Sequence, residues 1–176
     1  MKYWDFRESG KPRYDFLAYT DGSYRVPRNF GAAACIVLDG EGTAIRYKWS
    51  EVSRYSTSNR QEMAAIIHAL LHVPEGSSVL VRSDSENGIA QLTGQVRSKK
   101  DADLVQLFRQ VRKERALQVR LEWIRSHSGD PWNDYVDNLC IEALDLFESD
   151  GTRVREGVET ESLYSYIADN KTLSQI

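Results

Sequence analysis

At 176 residues, 41% hydrophobic and 28% charged, the chain has the balance of one globular domain with a full core and room for a short appendage. Its longest apolar run, Ala32 to Leu38, is far too short to cross a bilayer, so no membrane association is expected. The net charge of −3 argues, on its face, against a polyanionic partner. The opening residues Met1 to Glu8 carry charge where an export leader is apolar. Cys35 and Cys140 lie in apolar patterns with no zinc spacing open to them. Buried thiols of a reducing compartment are expected, with the cytoplasm as the location.

Residues 13–21 are aromatic-rich and end at Gly22-Ser23, which predicts a strand running into a turn. Gly31 to Leu38 reads as a second strand and Thr43 to Trp49 as a third. Asp39-Gly40-Glu41-Gly42 between them is a turn, making the two strands antiparallel neighbours. Ser58-Asn59-Arg60-Gln61 starts a helix, with Ser58 as cap and Gln61 at the spacing of a capping box. Met63, Ile66, Ile67, Leu70 and Leu71 follow at helical period, and Pro74-Glu75-Gly76 stops the helix. A short β-rich run covers Ser78 to Ser83 and a short helix Ser85 to Leu92. A longer amphipathic helix spans Asp101 to Ala116, with Leu104, Leu107, Phe108 and Val111 inward. Gln118 to Ile124 alternates as a strand. Asp130-Pro131 opens the last helix, Asp at the cap and Pro at the first helical position, with the stripe Val136, Leu139, Cys140, Ala143, Leu144 and Phe147.

The order β-β-β-α-β-α-α-β-α predicts an α/β fold. Three leading strands form an antiparallel meander, two later strands arrive through helical crossovers and run parallel to the first, and helices cover both faces of a mixed five-stranded sheet. The expected division is a lead-in at 1–12, a domain at 13–147 and an acidic appendage at 148–176, the last with a short helix around Leu163 to Ala168.

Local charge qualifies the net value. From Arg97 to Arg120 there are eight Lys/Arg against three acids, and from Asp145 to Asp169 seven acids against two Arg. A basic segment on an otherwise acidic chain is the footprint that a phosphate-backbone binder needs, although two solvated faces of opposite sign would read the same way.

Four acids stand at element ends or edges, where core packing does not want them. Asp21 ends the first strand and Asp84 the fourth. If these strands are parallel neighbours, both acids leave the same edge of the sheet, where open α/β sheets bind ligands. Glu62 sits one residue before Met63 and Asp137 one after Val136, each on the margin of an apolar helical stripe that faces the sheet. Carboxylates gathered in this way repel and raise one another's pKa, so such a cluster needs cations. An all-oxygen set suits Mg²⁺ or Mn²⁺. Two such ions about 4 Å apart activate a water and stabilise the leaving oxygen of a phosphodiester.

Over residues 13–147 the chain resembles the type 1 ribonucleases H. The residues that carry the resemblance are Thr20-Asp21-Gly22-Ser23, the run Ser56 to Glu62, Ser83-Asp84-Ser85, and the run Trp123 to Asp137 that includes Ser126-His127-Ser128-Gly129. The resemblance implies a ribonuclease H-like fold with the mixed five-stranded sheet, acting on RNA–DNA hybrids, cutting the RNA strand to leave 3′-hydroxyl and 5′-phosphate ends. Two Mg²⁺ ions per site are implied, held by Asp21, Glu62, Asp84 and Asp137, with Asp21 bridging both. His127, ten residues before Asp137, would shuttle a proton or help product leave. Asn133 and Asp134 are secondary contributors at the same loop-to-helix junction. Ser58 and Asn59 match positions that contact sugar and base edges, and Thr57 one that grips a DNA phosphate. A monomer is expected, with no hybrid-binding module ahead of the domain.

The sequence departs from the family pattern at several points. The turn after Ser23 is shorter than the usual Gly/Pro-rich loop. Glu86, expected to touch substrate, stands where the family often has Gln and cannot donate an amide hydrogen bond. Between Asp84 and Asp103 there is no room for the basic handle helix, for which Arg97, Lys99 and Lys100 stand in, and Val105 occupies a position that is often Trp. His68 and His72 have the spacing of a metal pair but fall opposite the Met63/Ile66/Ile67 stripe, on the expected solvent face, and are discounted as ligands. Two other readings stay open at this point: a module that binds hybrid without cutting, and a DNA nuclease of resolvase or transposase type.

Overall fold

The computed structural model describes residues 14–54 and 56–157. The expected lead-in at 1–12 and the helix around 163–168 lie outside the described residues.

The first strand, β1 (Phe16–Arg25), is apolar on both faces because both are covered. Leu17 and Tyr19 point to one side and Ala18 to the other, and all three are buried. It pairs antiparallel with β2 (Phe30–Asp39), which pairs antiparallel with β3 (Ile45–Arg54). Helix α1 (Ser58–His72) crosses to β4 (Ser78–Ser83), which lies parallel to β1. Helices α2 (Glu86–Leu92) and α3 (Ala102–Glu114) lead to β5 (Gln118–Trp123), parallel to β4, and α4 (Pro131–Asp150) follows. Helices α1 and α3 bury Met63, Ile66, Leu70, Phe108 and Val111 on one face of the sheet. On the other face α4 buries Trp132, Val136, Cys140, Ala143 and Leu144.

The α/β architecture and the strand directions are those expected, with one strand more. A short β6 (Val154–Gly157) returns from α4 and pairs antiparallel with β3, giving the order β5-β4-β1-β2-β3-β6. Helix α4 runs past residue 148 to Asp150 and ends at Gly151, whose φ of 78° a glycine adopts without strain.

Other boundaries also shift. Strand β1 does not turn at Gly22-Ser23. Its pairing with β2 continues to Arg25↔Phe30, and the reversal is made by a 3₁₀ turn at Val26–Arg28 with Asn29 left-handed. The cap of α1 is Thr57, not Ser58: the Thr57 side chain accepts from the Arg60 N–H at 3.2 Å. Leu71 and Leu107, expected inward, are 41% and 42% exposed at the edges of their stripes. His68 and His72 are not on a solvent face. They stack on Trp49 and Tyr47 of β3, with ring centroids 3.7 and 3.6 Å apart, and burial followed by His72 pushes His68 down to about 4.

Candidate active site

Sheet register brings the first two acids together. The parallel pairing of β1 with β4 ends at Thr20↔Ser83, so Asp21 and Asp84 are the next residues on adjacent strands. Beyond that point β1 continues against β2 alone, and Asp21 stands where its parallel neighbour has stopped. At Asp84 the chain leaves β4 sharply. The Ser85 N–H donates to Ser83 Oγ at 3.1 Å, and Ser85 Oγ accepts from Gly88 N to cap α2.

Helix α1 delivers Glu62 because Gly22 lets it approach. A Cβ at residue 22 would lie 2.4 Å from Glu62 N and 2.6 Å from Gln61 C, so only glycine permits this contact. Asp21, Glu62 and Asp84 each place a carboxylate oxygen within 4.8 Å of the others. Asp137 reaches the same neighbourhood from α4, on the other face of the sheet, close enough to help raise the Asp21 carboxyl. The four acids singled out from sequence therefore converge.

Asp21 and Glu62 are only 7% and 9% exposed, so Glu62 is more deeply set than a stripe margin suggested. Both carboxyls are pushed well above the ordinary carboxylate range. For Asp21 the cause is burial first, then Asp84 and Asp137. For Glu62 it is burial, then Asp21 and Asp84, opposed by a hydrogen bond from the Gly22 backbone. Glu62 Oε2 is buried with no hydrogen-bond partner, an arrangement that costs free energy unless something else satisfies it. A crowded, desolvated, all-oxygen cluster with an orphaned oxygen fits a hard divalent cation.

The remaining candidates are arranged around this cluster. His127 is exposed on the loop before α4 with φ +52°. Its neighbour Ser126 donates to Asp84 Oδ2 at 2.7 Å, which ties that loop to the acids. Asn133 is buried and Asp134 half-buried in the first turn of α4. Thr57 and Ser58 are exposed at the start of α1. Asn59 is held on both ends of its amide, donating to Asp101 Oδ2 and accepting from Asn87 Nδ2, each at 3.0 Å. That bond joins the start of α1 to the first turn of α2, where Glu86 is exposed. Arg97, Lys99, Val105 and Arg109 line a groove of about 740 Å³ between α2 and α3.

Sequence reasoning named Ser126 and Cys140 but gave neither a role at the site. The Cys140 thiol is buried beneath the site and donates to the Asp21 carbonyl oxygen at 3.4 Å. Ser126 stands in a loop with no period to read, and Cys140 looked like one more member of an apolar stripe.

The RNase H family model matches residues 13–145. A ribonuclease H of Anaeromyxobacter sp. strain K is 32% identical over 143 residues, covering 71% of this chain and 77% of its own. A ribonuclease H of Methylococcus capsulatus is 32% identical over 147 residues, covering 76% of this chain and 92% of its own. Among solved structures, the N-terminal RNase H domain of a Mycobacterium tuberculosis protein, determined as a fusion with maltose-binding protein, superposes with a TM-score of 0.64 at 17% identity. That match covers 78% of this chain and 98% of the domain, and speaks for the fold.

Proposed function

Because this chain belongs to the RNase H family, we propose that it is an endoribonuclease that hydrolyses the RNA strand of RNA–DNA hybrids, with Asp21, Glu62, Asp84 and Asp137 holding two Mg²⁺ ions, or Mn²⁺ in their place. The observation that carries the proposal is the close set of Asp21, Glu62 and Asp84, each with a carboxylate oxygen within 4.8 Å of the others, with the charge of Asp137 beside Asp21. Bound divalent ions would supply an activated water and charge neutralisation at the leaving oxygen.

The chain's own residues supply the rest. Asp21 carries the influence of both Asp84 and Asp137 and would be the acid that serves both ions. His127, exposed next to the Ser126–Asp84 contact, would exchange a proton with the departing strand. Ser58 and the fixed amide of Asn59 face the sugar and base edges of the hybrid, where the 2′-hydroxyl distinguishes RNA. Thr57 takes a DNA phosphate. Glu86 borders the same surface and, accepting only, selects for donors on the substrate. Arg97, Lys99 and Arg109 give the groove between α2 and α3 the charge to track the DNA strand in place of a handle. The protein works as a cytoplasmic monomer.

Matched RNA–DNA hybrid, duplex RNA, duplex DNA and single-stranded RNA, offered with Mg²⁺ or Mn²⁺, test this directly. Only the RNA strand of the hybrid is expected to be cut, and Asp84→Asn is expected to lower the rate by at least about a hundredfold with hybrid binding retained. Cutting of duplex DNA would move the chain to the resolvase or transposase class. Hybrid bound and left intact by the unmodified protein would make it a binding module.

A further inference from the structure

Two rungs before the acids, the three parallel strands carry a buried polar row. Tyr19 stands opposite Arg82 across β1 and β4, and Arg82 opposite Glu122 across β4 and β5. These residues are 0%, 4% and 8% exposed. Arg82 Nε donates to Glu122 Oε2 at 3.3 Å, and Arg82 Nη1 donates to the Tyr19 hydroxyl at 2.7 Å. The Tyr19 hydroxyl in turn donates to Asp130 Oδ2 at 2.8 Å. Asp130 Oδ1 accepts from the Trp132 and Asn133 N–H groups at 3.0 and 3.4 Å, capping α4. A single chain of hydrogen bonds thus runs from β5 through β4 and β1 to the N-terminus of α4.

Each member of this row sits close in sequence to a group the proposed reaction uses. Asp21 lies two residues after Tyr19, Asp84 two after Arg82, and Asp137 seven after Asp130, about two helical turns on. His127 lies three residues before Asp130. We propose that Tyr19, Arg82, Glu122 and Asp130 are a positioning set that fixes where α4 begins relative to the strand ends, and so fixes Asp137 against Asp21; this rests on the reading of the four acids as the reacting centre.

Two features set this row apart from ordinary packing. Capping α4 needs only Asp130 Oδ1, and the second oxygen is spent on Tyr19, which tethers the helix to the sheet. The proton order is also unique. Arginine only donates and an ionised carboxylate only accepts, so the Tyr19 hydroxyl must accept from one and donate to the other. A buried ion pair is a weak device for stability, since apolar residues of similar volume often do as well or better.

Tyr19→Phe removes the hydroxyl at constant ring volume. Asp130→Ser keeps a good helix cap and is too short to reach Tyr19. Each is measured for Mg²⁺ affinity by calorimetry with the metal alone, for kcat and KM on hybrid, and for thermal melting. Both single variants are expected to weaken Mg²⁺ binding and lower kcat by about tenfold, with KM within about twofold, since an error of about 1 Å at a reacting centre costs this much or more. The double variant is expected to be no worse than the weaker single, because both break one link. A lower melting temperature with Mg²⁺ affinity and kcat unchanged would overturn the inference and leave the row a structural element. Should the unmodified protein cut no hybrid, the hydrolase reading fails by itself. The calorimetric comparison then decides the positioning role alone, weakened Mg²⁺ binding supporting it and equal binding overturning it.

Discussion

Gly22 is the narrowest point between β1 and α1, and the position of Glu62 depends on it. In sequence Gly22 reads as a turn residue after Asp21. In the fold it is extended and paired with Ala33, and its use is the absent side chain. Gly22→Ala forces a methyl group onto the backbone of Gln61 and Glu62, which cannot swing aside as a side chain can. Overpacking of this kind costs about 3 kcal/mol at the upper end of its range, or about 6–12 °C in melting temperature for a domain of this size. Moving Glu62 is also expected to weaken Mg²⁺ binding in whatever fraction stays folded. A melting curve and a Mg²⁺ titration check both, and a Gly22→Ala variant that melts and binds like the parent would show that α1 has slack here. The acids themselves were legible because carboxylates at strand ends and on the margins of apolar stripes have no packing reason to be there. The Tyr19–Arg82–Glu122–Asp130 row was not, because its members meet only through cross-strand register and each reads as an ordinary strand or cap residue when met along the chain.

Among the elements, those with a strong period were readable. The stripe of α4, that of α1 apart from Leu71, and the Asp130-Pro131 start of α4 fall where the sequence puts them, because a wide apolar face against a sheet leaves a helix little choice. Strand β6 was hidden. Val154-Arg155-Glu156-Gly157 is short and polar, and an edge strand needs only backbone pairing with its one neighbour, here Lys48 to Glu51 of β3. The acidic segment from 148 onward is therefore two things with different fates on truncation. A chain ending at Gly157 is expected to cut and melt like the full one. A chain ending at Asp150 loses β6 and the 2.8 Å bond from the Val52 N–H to Arg153, uncovering the edge of β3. It is expected to keep its cutting rate per folded molecule, to melt lower and to self-associate, as light scattering would register. Loss of cutting in the folded chain that ends at Gly157 would refute the proposal that the residues beyond are dispensable.

Across the whole molecule, the acids of the site set how stability responds to pH and to metal. Without metal, the folded state holds protons on Asp21 and Glu62 that an unfolded chain releases near pH 4, the ordinary carboxylate range. From there up through the raised folded values the native state binds more protons than the unfolded one, so each step up in pH favours unfolding. Chelated protein is therefore expected to melt lower at about pH 8 than at about pH 5. Asp21→Asn removes the most crowded carboxyl, so its melting point is expected to fall less over the same interval and to exceed the parent's by about 3 °C or more at the upper pH. Mg²⁺ should reverse the order, because it binds the deprotonated acids, releases their protons, and stabilises the folded parent by an amount that grows with pH. The variant lacks that gain. Melting curves of parent and variant at the two pH values, with chelator and with Mg²⁺, test each of these expectations. Parallel slopes for parent and variant in chelator would mean that Asp21 sheds its proton as easily folded as unfolded, and the account of Asp21 as the centre of a charge cluster that requires cations would not stand.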